Sequence, residues 1–285
     1  MTLAHSDRVT RVVLVGGHES NDGADLVRFT DALDGAITAS PGRSFHNTVS
    51  AALEEGESVI VIPMTFGRNP TMVADTAKTL KWLVAKHPGR IGLADPFGQI
   101  DHLTAWLRTA ANRTKAKHAD AAMLIVAPPS NPFDEAELHR IAYLVATHGA
   151  LTEVAVAITD EESGLAASIE RLRLLGAERV ALVPAGFAAS LPPADAEYVG
   201  PLMSDAAVIR VVRTRTRDAI AALDAGHDGI DDGLEADHGH GYAHSHAFEE
   251  SQGLSHSHAH SHAHGQPHSH AHGHTHEHSD IHAHN

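Results

Sequence analysis

The sequence predicts an α/β fold made of two similar parallel-sheet lobes facing a central cleft, followed by a disordered histidine-rich tail. Three observations predict it. Short β-branched apolar runs alternate with helical stretches over residues 12–224. Most of these runs are continuous rather than alternating, as in strands buried on both faces of a parallel sheet. The whole pattern then occurs twice.

Taken in order, strands are predicted at 12–15, 59–63, 91–94, 123–127, 154–158, 180–184 and 208–212, where Val, Ile, Leu and Ala cluster. Between them, the intervening stretches predict helices at 22–34, 44–56, 71–86, 100–116, 134–148, 163–175 and 213–224. Trp82 and Trp106 fall inside two of these helices beside apolar neighbours and read as core. Strand and helix in strict succession place any ligand crevice at the carboxyl ends of the strands.

The repeat aligns 11–33 with 121–144, bringing Ser20-Asn21 opposite Ser130-Asn131. It aligns 52–67 with 173–188, bringing Gly56 opposite Gly176 and Pro63 opposite Pro184. The offset grows from 110 residues at Asn21 to 120 at Gly56, so the first half lacks about ten residues between 33 and 45. The predicted lobes are 1–117 and 118–225. Past Gly226 the composition turns to Gly, His, Asp and Ala, which cannot bury an apolar face, so 226–285 is predicted to be disordered without metal.

Composition narrows the function. The formal charge is −15, and nine acids with no Lys or Arg in the tail leave the body near −6. A mildly acidic body without a basic stripe argues against nucleic acid. There is no cysteine, which excludes disulfides, thiolate metal sites and Cys nucleophiles. The start Met1-Thr2-Leu3-Ala4-His5 lacks a signal-peptide apolar core, and no run approaches the length of a membrane span. A soluble, cytoplasmic protein is expected.

The tail from His227 holds 18 of the 26 histidines. His256, His258, His260, His262, His264, His268, His270, His272, His274, His276 and His278 recur at every second position over long stretches. Neutral imidazole is the commonest ligand of borderline transition metals, so this tract is expected to bind divalent ions. Affinity alone does not name the ion. The tract reads either as a store or as a reservoir that raises metal concentration near the cleft to roughly mM.

Chemistry-bearing residues sit at two strand ends. The first strand runs into Gly16-Gly17-His18-Glu19-Ser20, where the glycines would let backbone approach a bulky ligand and His18 would project into the crevice. On spacing alone, a capping role for His18 is equally compatible. No G-x-G-x-x-G follows the strand, so a dinucleotide reading fails. The second lining strand ends in Pro63 and continues Met64-Thr65-Phe66-Gly67-Arg68-Asn69-Pro70. Arg68 there reads as a partner for substrate carboxylates or as a surface-loop residue.

A strand ending G-H-x-S-like, a second ending in Pro before a Gly-containing loop, the Asp95-Pro96-Phe97-Gly98 segment and the duplication together resemble the class II tetrapyrrole chelatases. The resemblance covers residues 1–225 and is nearest to the sirohydrochlorin cobaltochelatase family in its long, two-lobed form. It implies insertion of a divalent metal, Co2+ first and Ni2+ or Fe2+ as alternatives, into a sirohydrochlorin-type tetrapyrrole lying between the lobes. No permanently bound cofactor is implied, because the metal is a substrate. The family's first catalytic His maps onto His18, in G-G-H-E-S where G-H-G-S is usual. Its second His falls at "GRN", where Asn69 stands. His46 and Glu19 are candidate replacements for that second group, although a surface cap and a solvated acid are their plainer readings. Gly16, Gly17, Ser20, Gly67, Arg68 and Asn69 would line the macrocycle. The alternative is a catalytically inert relative that stores or delivers cobalt or nickel through its tail.

Overall fold

Buried apolar runs become two four-stranded parallel sheets in the computed structural model, which describes residues 9–151 and 153–236. The first sheet contains β1 (Thr10–Gly16), β2 (Ile37–Ala39), β3 (Ser58–Met64) and β4 (Ile91–Leu93) in the order β2-β1-β3-β4. The second contains β5 (Ala121–Ala127), β6 (Val154–Ile158), β7 (Arg179–Pro184) and β8 (Glu197–Tyr198) in the order β6-β5-β7-β8. The sequence repeat is therefore a repeat of topology. Register agrees too: Val15 lies beside Pro63 in the first sheet as Val126 lies beside Pro184 in the second.

The paired glycines repeat a helix ending. Helices α1 (Arg43–Glu54) and α5 (Glu162–Leu174) are followed by Gly56 at φ +89° and Gly176 at φ +99°. The N–H groups of Gly56 and Glu57 reach back to the carbonyls of Leu53 and Ala52, and those of Gly176 and Ala177 to Arg173 and Leu172. Both are Schellman closures, whose left-handed residue favours glycine.

The halves diverge where the first is short. Helix α4 (Pro132–His148) follows β5, whereas β1 is followed only by 3-10 pieces at His18–Phe29 and Asp31–Leu33. The α-helix predicted at 22–34 is thus corrected. Asn21, Asp22 and Gly23 take left-handed φ values of 50°, 50° and 93°, which no helix accommodates and which Asn, Asp and Gly tolerate best. The predicted strand at 208–212 is also corrected: it lies inside α6 (Asp205–Asp224). Ser204 caps that helix through Ala207 N–H, and burial of Val208 and Val212, one turn apart, overrides their β preference.

Strand side chains alternate between faces. Val13, Val15, Val59 and Val61 face an outer core with α1 and α2 (Pro70–Val84). Leu14, Ile60 and Ile62 face a central core that also holds Met123, Ile125 and Val183 of the second sheet. Two helices cross between the halves in this centre. Helix α3 (Ile100–Lys117) packs on β5 and β7, and α6 packs on β3 and β4. Trp106 joins the central core, but Trp82 is 79% exposed, contrary to expectation. The buried face of α2 runs through Val73, Thr76, Ala77, Leu80 and Leu83, and position 82 falls off it.

After α6 the chain returns to the first lobe. Leu93 N–H donates to the Asp228 carbonyl at 2.7 Å, and the short α7 (Ile230–Leu234) lies against α2 with Ile230 fully buried. Residues 227–236, assigned to the tail by composition, are thus part of the folded body, because Ile230 and Leu234 supply an apolar anchor. The histidines from His238 onward, His256 through His278 included, lie outside the described residues. Among the described residues no helix is long and apolar enough to cross a membrane.

Candidate functional site

In both sheets strand order reverses between the first and third strands of the repeat, and in open α/β sheets the ligand crevice lies at the carboxyl ends beside that reversal. The residues after β1 and β3 meet those after β5 and β7 at this point. The loop from β1 to Asn21 is one residue longer than its counterpart from β5 to Asn131, and His18 and Glu19 stand in it where the second lobe has Pro128 and Pro129.

The glycines serve the chain's own packing. A Cβ on Gly16 would lie 2.5 Å from the Gly23 nitrogen, and one on Gly17 would lie 2.4 Å from Asn69 Nδ2. Their expected role of admitting a ligand is replaced by close approach of the protein to itself. Ser20 is fully buried and its hydroxyl donates to the Gly17 carbonyl at 3.2 Å, tying off the same turn.

His18 is held from the other loop. Asn69 caps α2, its Oδ1 accepting from Met72 N–H at 3.1 Å. That orientation turns the amide Nδ2 toward His18 Nδ1, also at 3.1 Å. An amide nitrogen can only donate, so Nδ1 accepts and the ring hydrogen sits on Nε2. Among the described residues this buried Nε2 has no hydrogen-bond partner. Burial, and then the Arg68 charge, push the His18 pKa down to about 4, so the ring is neutral at pH 7.

Glu19 is no solvated acid: it is 3% exposed. Its carboxylate accepts from the Thr65 hydroxyl and from Phe66 N–H, the latter at 3.1 Å. Burial raises its pKa, against the opposing pull of Arg68 and of these two hydrogen bonds, while the Asp134 charge raises it further. Arg68 is likewise not a surface residue. It is 1% exposed, and Nε and Nη1 find no hydrogen-bond partner among the described residues.

Asp134, absent from the sequence reading, completes the cluster from the second lobe. It lies in the first turn of α4, is 3% exposed and takes a hydrogen bond from Asn131 Nδ2 at 2.7 Å. Its Oδ2 is 3.7 Å from His18 Nδ1. No sequence signal marks it, because only the folded meeting of the lobes brings α4 to His18.

Two cavities flank the cluster. One of about 240 Å³ is lined by His18, Glu19, Asn21, Pro128, Thr159 and Gly186. The other, of about 430 Å³, is lined by Thr65, Gly67, Pro70, Gly98, Arg140 and Ala236. Pockets for drug-sized ligands run to roughly 300–1,000 Å³, so only the second reaches that range. Gly67 borders it at φ +92° with the Ile100 nitrogen 3.0 Å from where a Cβ would stand, so glycine is required there. Phe66, Phe97 and Phe187 close the lobes together, with ring centroids 5.0–5.2 Å apart.

The structure therefore brings together His18, Glu19, Arg68 and Asn69, and leaves His46 apart. His46 is exposed on α1 beside Asn47. No cluster of three metal-ligating side chains stands preformed among the described residues.

Neither a protein-family model nor a curated protein matches the chain. Among solved structures it is similar to SirB from Bacillus subtilis with Fe3+, at 14% identity and a TM-score of 0.47, over 78% of this chain and 98% of that one.

Proposed function

We propose that this chain is a cytoplasmic chelatase that seats a divalent metal, Co2+ first and Ni2+ or Fe2+ as alternatives, on His18 and inserts it into a sirohydrochlorin-type tetrapyrrole on a cobalamin-type route. One observation carries the reading. The buried, neutral imidazole of His18 lies 3.7 Å from the buried Asp134 carboxylate of the other lobe where both sheets reverse their strand order, with the buried Glu19 next to it in the chain.

The chemistry suits those groups. Insertion replaces two pyrrole N–H protons by the metal, so the site must hold a borderline cation and accept protons. A ring kept neutral at pH 7 supplies the soft nitrogen ligand. Glu19, with its pKa raised by burial, takes a proton more readily than an exposed carboxylate. Arg68, with donors left over, would meet a carboxylate of the macrocycle. The 240 Å³ space beside His18 does not hold a planar macrocycle, so its entry requires Phe187 to part from Phe66 and from Glu19. Tail histidines would raise the local metal concentration.

The test is spectroscopic. Full-length protein with sirohydrochlorin and Co2+ should shift the tetrapyrrole absorption faster than the uncatalysed blank, and His18→Ala should lose the gain. Equal rates with and without protein overturn the enzymatic reading.

A second reading is a non-catalytic metal carrier. Asn69 favours it, because it occupies or adjoins the position where the resemblance to chelatases implies a second His, and it is committed to capping α2 and bonding His18. Removing residues 237–285 separates the two readings. A carrier loses all tight metal binding, whereas a chelatase retains a site at His18.

A further inference from the structure

We infer that Asp134 is the positioning residue that makes His18 a metal ligand, by accepting a hydrogen bond from Nδ1 of the ring when the ion binds Nε2. The inference rests on the metal-site reading of His18 given above.

Asn69 cannot rotate its amide without surrendering the α2 cap, so in the resting protein it donates to Nδ1 and Nε2 holds the hydrogen. In that state the ring offers a metal nothing: the Nδ1 lone pair is engaged and Nε2 has no free lone pair. Ligation through Nε2 needs the hydrogen on Nδ1 instead. The ring stays neutral throughout, one proton leaving Nε2 for solvent and one arriving at Nδ1.

A hydrogen on Nδ1 then needs an acceptor, since Asn69 presents only N–H. Among the described residues the carboxylate that approaches the ring is Asp134, with Oδ2 3.7 Å from Nδ1. A movement of under ~1 Å would shorten this to the roughly 2.7–2.9 Å of a charge-assisted hydrogen bond. Metal-bound histidines commonly donate their second N–H to a carboxylate or carbonyl in this way, which fixes the tautomer and strengthens the ligand. Asp134 is buried, and its own oxygen is steadied by Asn131 at 2.7 Å.

The two lobes thus divide the task. The first lobe, through Asn69, holds His18 in the form that does not bind metal. The second lobe, through Asp134, stabilises the form that does. Lobe geometry becomes a control on metal affinity, without any change in the ligand itself.

Nitrogen-15 NMR of histidine-labelled full-length protein tests this, with the His18 signals identified by their loss in His18→Gln. The diamagnetic ion Zn2+ serves as probe. Without metal the hydrogen should reside on Nε2, and with Zn2+ it should reside on Nδ1. In Asp134→Asn the zinc concentration that converts the His18 signals should rise about 10- to 100-fold. A hydrogen still on Nε2 in the zinc-bound protein overturns the inference but leaves His18 a ligand through Nδ1. A His18 that Zn2+ never perturbs removes both the inference and the metal site. The wild-type measurement decides the question even if Asp134→Asn folds poorly.

Discussion

The backbone N–H of Phe187 donates to the carbonyl of Glu19 at 2.9 Å, stitching the loop after β7 to the loop after β1. This bond fixes how closely the second lobe approaches His18. Its neighbour Gly186 leaves no slack: a Cβ there would lie 2.2 Å from the same carbonyl oxygen. Both partners are backbone, so relief requires the lobes themselves to move.

Gly186→Ala should therefore destabilise the fold by about 1–3 kcal/mol, the usual cost of overpacking. For a chain of this size that lowers the melting temperature by about 2–4 °C per kcal/mol. Calorimetry checks it. An unchanged melting temperature would show that the lobe contact is soft.

His18 makes stability depend on pH. Its pKa falls from 6.5 to about 4 on folding, chiefly through burial. Between these values the unfolded chain binds the proton and the folded chain does not. Stability is therefore lost as pH falls from 6.5 towards 4, by a total on the order of 3 kcal/mol. Glu19 works the other way, since its raised pKa favours the folded state at low pH and that contribution fades as pH rises. Urea unfolding of wild type and His18→Gln at pH 7, 5 and 4 isolates the histidine. The gap between the two proteins should shrink or reverse on acidification, and a constant gap would contradict the burial of the ring.

Asn69→Ala removes a helix cap and the donor to Nδ1 together. Loss of the cap should cost about 1 kcal/mol. Freed of the amide, His18 should shift its hydrogen toward Nδ1 even without metal. The same nitrogen-15 spectra report this directly, and a ring still protonated on Nε2 would show that something other than Asn69 sets the tautomer.

Gly229 anchors the segment leaving α6, at φ +71° and with the Leu93 carbonyl oxygen 2.2 Å from a would-be Cβ. Gly229→Ala should detach residues 227–236 while leaving both sheets formed. Limited proteolysis should then cut between α6 and residue 236 far faster than in wild type, with a nearly unchanged circular dichroism spectrum.

Much of this architecture is legible in the chain. β1, β3, β5 and β7 announce themselves because burial on both faces demands unbroken apolar runs, and Gly56 with Gly176 marks the duplication because the same left-handed helix ending occurs twice. β2 and β8 escape notice, since three and two residues carry no periodicity. The crossing of α3 and α6 is invisible for a different reason: an amphipathic helix shows that it covers a sheet, but not which one. At the site, His18 was legible from its strand end. Arg68 was legible as a loop candidate but not as a buried one, because a loop arginine gives no sign of burial, and Asp134 was not legible, because only the meeting of the lobes brings it to the imidazole.

The contact between Leu93 and Asp228 has an outcome beyond its own lobe. β4 is the margin of its sheet, and bare strand margins recruit strands from other molecules. Here the chain's own return supplies an acceptor at Leu93 and lays α7 alongside. That border is sealed against fibre-like growth by the same stretch of polypeptide that leads in sequence to the histidine-rich tail.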